Sequence, residues 1–142
     1  MRVALISDIH GNLVSLNAVL ADIDRERVDD IICLGDVATL GPQPSEVVTR
    51  LQTLDCHFIA GNHDADLLDT KAAKQRQTHS QIILDAVMWC AEQLSVTQIE
   101  FLRSFRDTSQ FQLDADTSLL CFHGSPQSNT DIILATTPAD EL

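Results

Sequence analysis

Apolar positions along the chain fall into two alternating patterns. Short continuous runs occupy residues 2–7, residues 30–36 ("DIICLGD") and residues 56–64 ("CHFIAGNHD"). Between them, apolar residues recur every three or four positions: Leu13, Leu16, Val19, Leu20 and Ile23 within 12–27, then Val47, Val48, Leu51 and Leu54 after Pro44. The first pattern predicts buried strands and the second predicts amphipathic helices. Asn12 stands where an N-cap is needed, and Pro44 suits the first helical position. The β-α-β-α-β order predicts a parallel sheet covered by helices.

Further along, Ile82, Ile83, Ala86, Val87, Cys90 and Leu94 predict a helix over residues 79–94. "SVTQ" (95–98) has the capping-box pattern and opens a short helix with Ile99 and Leu102 inside. "FQLD" and "SLLCFHGSP" (118–126) predict two more strands. The polar stretch 65–78, which holds both lysines, predicts a solvated loop or frayed helix on the rim of whatever site the chain builds.

Each predicted strand ends in chemistry. The first ends in Asp8-x-His10, the second in Gly35-Asp36, the third in Gly61-Asn62-His63-Asp64, and a later one in His123-Gly124. In an open parallel sheet the carboxyl ends of the strands share one edge, where ligands bind. Four strand ends thus deliver carboxylates, imidazoles and an amide to one place. Carboxylates crowded at a partly buried edge are costly to desolvate, and divalent cations remove that cost. Mixed oxygen and nitrogen donors suit Mn, Fe, Zn or Co better than Mg or Ca. His57 and His79 fall outside this pattern and are expected to be ordinary polar positions.

Composition narrows the field. The 142 residues suggest one domain, and 44% apolar content is enough for a core. With 21 Asp and Glu against 9 Lys and Arg, the net charge is −12, which argues against a nucleic-acid binder. Cys33, Cys56, Cys90 and Cys121 form no C-x-x-C pair and sit in apolar surroundings, as expected of reduced, buried thiols. The first apolar run reaches Asp8 too soon for a signal peptide, and no stretch approaches the ~20 apolar residues of a membrane helix. The expectation is a cytoplasmic protein without membrane partners.

"SDIHGN", "GDVATLGPQPSEVV", "GNHD" and "FHGSP" resemble the successive motifs of the calcineurin-like metallophosphoesterases, with the bacterial single-domain phosphodiesterase branch most similar. The resemblance implies an α/β fold, the parallel-sheet core of an α-β-β-α sandwich, here with its second sheet incomplete. It implies a phosphoesterase, most simply a phosphodiesterase on small phosphoesters or nucleotides. Two divalent metal ions are implied, Mn first, with Fe, Zn, Co or Ni as alternatives. Asp8 and His10 would hold one metal, Asp36 would bridge both, and Asn62 and His123 would hold the second. The catalytic pair would be His63, beside the scissile phosphate, and Asp64, orienting it. Attack would come from a metal-bridging hydroxide.

Two departures from the family pattern bear on function. No Arg follows Asp36 in "GDVATLGP", unlike the protein-phosphatase branch, which argues against a phosphoprotein substrate. No histidine follows His123, whereas the family pattern ends in Gly-His-x-His. Thr137, Pro138, Asp140 and Glu141 read as the start of a helix. The expectation is therefore one domain over 1–142, the N-terminal part of a longer protein. Its uncovered sheet edge would favour self-association. The alternative is a metal-binding but catalytically impaired fragment or regulatory module.

Overall fold

The computed structural model describes residues 1–76 and 80–138. Three parallel strands, β1 (Val3–Ile6), β2 (Asp30–Cys33) and β3 (His57–Phe58), form a sheet in the order β1-β2-β3. Val3 pairs with Asp30 and Ile6 with Cys33; Ile32 pairs with His57. α1 (Leu13–Glu26) and α2 (Pro44–Leu51) are the two crossovers. Asn12 caps α1 as expected, its Oδ1 accepting the Ser15 N–H at 2.9 Å. Pro44 opens α2, and Val47, Val48 and Leu51 are fully buried beneath it. This part of the α/β fold matches the sequence expectation.

The next segment differs from it. The third strand is two residues long, and Asn62, His63 and Asp64 begin a helix, α3 (Asn62–Leu68). Gly61 is its N-cap in extended conformation. α4 (Thr70–Arg76) follows, so most of the stretch expected as a solvated loop or frayed helix is helix with a buried face. Asp66, Leu67 and Ala73 are buried in it. The reason is packing: α3 and α4 lie against α5 (Gln81–Gln93), which gives an otherwise polar stretch a face to bury. Within α5, Val87 and Cys90 are buried while Ile82 is exposed, so the buried stripe is narrower than the sequence period suggested. His79 lies outside the described residues, as do residues 139–142 of the expected terminal helix.

α6 (Val96–Arg103) starts in the expected capping box, Ser95 Oγ accepting the Gln98 N–H and Gln98 Oε1 accepting the Ser95 N–H. The Gln98 side chain is itself buried, and its Nε2 donates to Ser45 O and Thr49 Oγ1, tying α6 to α2. Phe58, Phe101 and Phe105 then pin α6 to β3, with Phe58 and Phe105 stacked at 4.8 Å. Arg106 forms a single parallel bridge with Ile59, its N–H donating to Phe58 O and its carbonyl accepting from Ala60.

From there the chain enters β4 (Thr108–Gln112) and β5 (Ser118–Phe122), an antiparallel hairpin forming a second sheet. The strand that ends in His123 is therefore not a member of the parallel sheet. The two sheets meet through Ile32, Ile59 and Cys121, with Val3, Leu34, Phe111 and Leu119 packed around them. Cys33, the neighbour of Ile32, points to the opposite face, into the helix-side core with Leu16, Val47, Val87 and Leu102. One sheet thus has helices on one face and the hairpin on the other. Among the described residues no helix is long and apolar enough to cross a membrane.

Candidate metal centre and its surroundings

The β1 and β2 ladder continues past the ends of the strands. Asp8 N donates to Gly35 O, His10 N to Asp36 O and Gly11 N to Val37 O, all at 2.9–3.0 Å. This register sets the Asp8-x-His10 turn beside the Gly35-Asp36 turn. The cost is local: Asp8, His10 and Asp36 all have positive φ, between 45° and 57°. Such conformations are unfavourable for residues with a Cβ and concentrate at functional sites.

The β2 and β3 turns approach so closely that only glycine fits. A Cβ on Gly35 would lie on Gly61 N, and a Cβ on Gly61 would lie on Asp36 Oδ1. Asp64 completes the junction from the first turn of α3. Its Oδ2 accepts the N–H groups of Asp36 (2.8 Å) and Gly61 (2.9 Å), and its Oδ1 accepts that of Val37 (3.0 Å). Burial pushes this fully enclosed carboxyl up to about 6, against the downward pull of the three amides.

Asp36 is thereby fixed from both sides. Its Oδ1 accepts the His63 N–H at 2.9 Å. Its Oδ2 lies 3.9 Å from His10 Nε2 and 3.7 Å from His123 Nε2. His10 Nε2 is also 3.6 Å from Asp8 Oδ1, while its Nδ1 is 3.3 Å from the buried Thr39 hydroxyl. Ligand atoms of Asp8, His10 and Asp36 all lie within 4.8 Å of one another.

His123 reaches the same place from the hairpin. Its Nδ1 is 2.7 Å from Leu34 O. A carbonyl can only accept, so Nδ1 donates there. Nε2 faces Asn62 Oδ1 at 3.1 Å and Asp36 Oδ2 at 3.7 Å. One nitrogen and two oxygens therefore converge, a donor set suited to a cation. A backbone carbonyl on the far nitrogen is also the usual support of a metal-bound histidine.

His63 packs edge-on against His10, with ring centroids 5.4 Å apart. Its Nδ1 lies 4.0 Å from Asp66 Oδ2. All seven expected site residues thus meet around the ends of β1, β2 and β5 and the start of α3. An open cleft of about 690 Å³ runs from Asp8, Asn62, Asp66 and His123 to Ile132 and Ile133. His57 lies away from the site, paired with Asp30 at 3.3 Å.

The sequence pattern did not reveal Thr39, Gly41 or Asp66. Gly41 carries a signal in retrospect: a Cβ there would collide with His10 O. Thr39 and Asp66 carry none, since each is one polar residue among several until the fold buries it.

The sequence profile of the calcineurin-like phosphoesterases matches residues 1–140, and the chain belongs to that family. An uncharacterised protein of Methanocaldococcus jannaschii is 36% identical over 102 residues, covering 72% of this chain and 41% of the relative. A symmetrical bis(5'-nucleosyl)-tetraphosphatase of Pectobacterium carotovorum is 28% identical over 145 residues, covering all of this chain and 50% of the relative. The crystal structure of a metallophosphoesterase from Sphaerobacter thermophilus superposes with a TM-score of 0.65 at 33% identity, covering 91% of this chain and 49% of that one. The chain spans about half the length of the curated relatives it matches, 41–50% in these two.

Proposed function

We propose that the chain carries the catalytic core of a metal-dependent phosphoesterase that hydrolyses small phosphoesters, nucleotides among them. The observation that carries this reading is the approach of Asp36 Oδ2 to both His10 Nε2 and His123 Nε2, at 3.9 and 3.7 Å. A carboxylate near two nitrogen donors suits a site for two ions. In this reading Asp8 and His10 would hold one ion, Asn62 and His123 would hold the other, and Asp36 would serve both. The oxygen and nitrogen donors fit Mn first, with Fe, Zn, Co or Ni as alternatives. Divalent ions there would offset the crowded carboxylates, activate water and polarise the phosphoryl oxygens.

The chain's own groups do the rest. His63, anchored through its N–H on Asp36, is the candidate acid for the leaving oxygen. Asp64 fixes the backbone on which Asp36 stands. A nucleotide substrate is supported by the bis(5'-nucleosyl)-tetraphosphatases among the relatives. The cleft, of about 690 Å³, is of a size for such a molecule. A single domain over 1–142 is supported by the shared core, and a cytoplasmic location by four free cysteines.

The test is hydrolysis of bis(p-nitrophenyl) phosphate and of a bis(5'-nucleosyl) tetraphosphate by the Mn-loaded chain, with Asp36→Asn as control. Metal-dependent turnover lost in Asp36→Asn is expected. A metal-loaded chain that cleaves neither substrate would overturn the proposal.

A further inference from the structure

The candidate acid His63 needs a group to hold its ring in one orientation. Asp64, its immediate neighbour, is the carboxylate that the sequence offers. Its two oxygens are already engaged by the amides of Asp36, Val37 and Gly61, inside the junction of the turns. Asp66 stands three residues after His63 on α3, on the same helical face. Its side chain is 3% exposed, and its Oδ2 lies 4.0 Å from His63 Nδ1, a nitrogen that is itself buried. His10 closes the other side of the ring at 5.4 Å.

Asp66 also lines the cleft next to Asn62 and His123. Its carboxylate is enclosed on α3 beside the His63 ring, so the contact between the two side chains is shielded from water. We infer that Asp66 is the positioning residue of His63: its carboxylate holds the Nδ1 edge of the ring and leaves Nε2 as the nitrogen for the substrate. This rests on the reading of His63 as the acid in a phosphoesterase site. A carboxylate at Nδ1 orients the ring and sets which nitrogen faces the substrate, while the transferred proton moves only between Nε2 and the leaving oxygen.

The experiment compares the Mn-loaded wild type with Asp66→Asn and Asp66→Ala. Asn keeps the shape and one oxygen acceptor but loses the charge; Ala loses both. Turnover is measured on a phosphodiester with a nitrophenolate leaving group and on one with an alkoxide leaving group. Ring-nitrogen NMR of the ¹⁵N-histidine-labelled chain, with a diamagnetic ion in place of Mn, reports the His63 tautomer without any turnover.

Expected is a loss of about 10- to 100-fold on the alkoxide substrate in Asp66→Ala, part of the ~10²–10⁴-fold that a positioned acid supplies. Asp66→Asn should lose less. The nitrophenolate substrate, which needs no acid, should change little, and metal content should not change. The His63 ring-nitrogen signals should move in both variants. Unchanged His63 signals in Asp66→Asn overturn the inference, as do equal losses on both substrates or a loss of bound metal. Should the wild type prove inactive, the functional reading fails, and the NMR comparison still decides whether Asp66 sets the state of His63. If Asp66→Ala does not fold, Asp66→Asn decides alone.

Discussion

Asp64 binds Asp36 through the backbone. Its carboxylate accepts the Asp36 N–H at 2.8 Å, across 28 residues of sequence, and leaves the Asp36 side chain for other work. One acid is spent on architecture so that another stays available. Asp64→Ala removes the acceptor of three buried N–H groups at once. Each unsatisfied buried donor costs about 1–3 kcal/mol, so the variant should lose roughly 3 kcal/mol or more. Urea unfolding of the metal-free chain measures the loss, and a value near zero would show that water replaces the carboxylate.

Asp64 also gives the metal-free chain a pH dependence of defined sign. Its carboxyl sits at about 6 in the folded chain against an ordinary value of 3.8, because burial outweighs its amide bonds. Between those values the folded state binds the proton more readily than the unfolded state. The contribution of this group to stability therefore rises as the pH falls from about 6 towards 3.8, and is smallest above pH 6. Wild type should gain relative to Asp64→Asn when urea midpoints are compared at pH 7 and pH 5. A constant difference contradicts the shifted carboxyl.

Gly61→Ala isolates a steric effect. Gly61 has φ of −85°, which alanine tolerates, so the substitution acts only through its methyl group. That methyl would overlap Asp36 Oδ1 and lie 2.5 Å from the Asp36 backbone nitrogen, so both the carboxylate and the turn that carries it must shift. Overpacking of this kind costs about 1–3 kcal/mol. Metal titration should show weakened binding of Mn, while the circular dichroism spectrum stays that of the wild type. Undiminished affinity would show that Asp36 and its turn can move without consequence.

His63→Ala tests the separation of chemistry from metal binding. Turnover on a substrate with a poor leaving group should fall by about 10²–10⁴-fold, with metal content nearly unchanged. Full activity in this variant removes His63 from the reaction.

Much of this was legible in the chain itself, and the reasons are local. A strand that stops at a polar tripeptide betrays its own end, so Asp8, His10 and Asp36 could be placed at one edge from periodicity alone. The third strand end was harder. Gly61 looks like the opening of a loop, yet in extended conformation it caps a helix. Asn62 and His63 are thus held by helical geometry that no apolar period announces. His123 ends a strand whose sequence, "SLLCF", reads the same in a parallel sheet as in an antiparallel hairpin, and only packing distinguishes them. Asp66 carries no sequence signal because its burial comes only with the packing of α3 into the fold.

The attachment of His123 has a consequence for the order of events during synthesis. Asp8, His10 and Asp36 lie in the first 36 residues and are aligned by the β1 and β2 ladder, which needs only α1 as its connection. His123 is locked by Leu34 O across 89 residues, after α5, α6 and the hairpin have been made. Chain closure over that distance comes late, because the entropy of a long loop must be overcome first. At ribosomal rates of about 5–20 residues per second, several seconds separate the synthesis of Asp36 from that of His123, so the contact that joins the hairpin to the parallel sheet is among the last for which both partners exist.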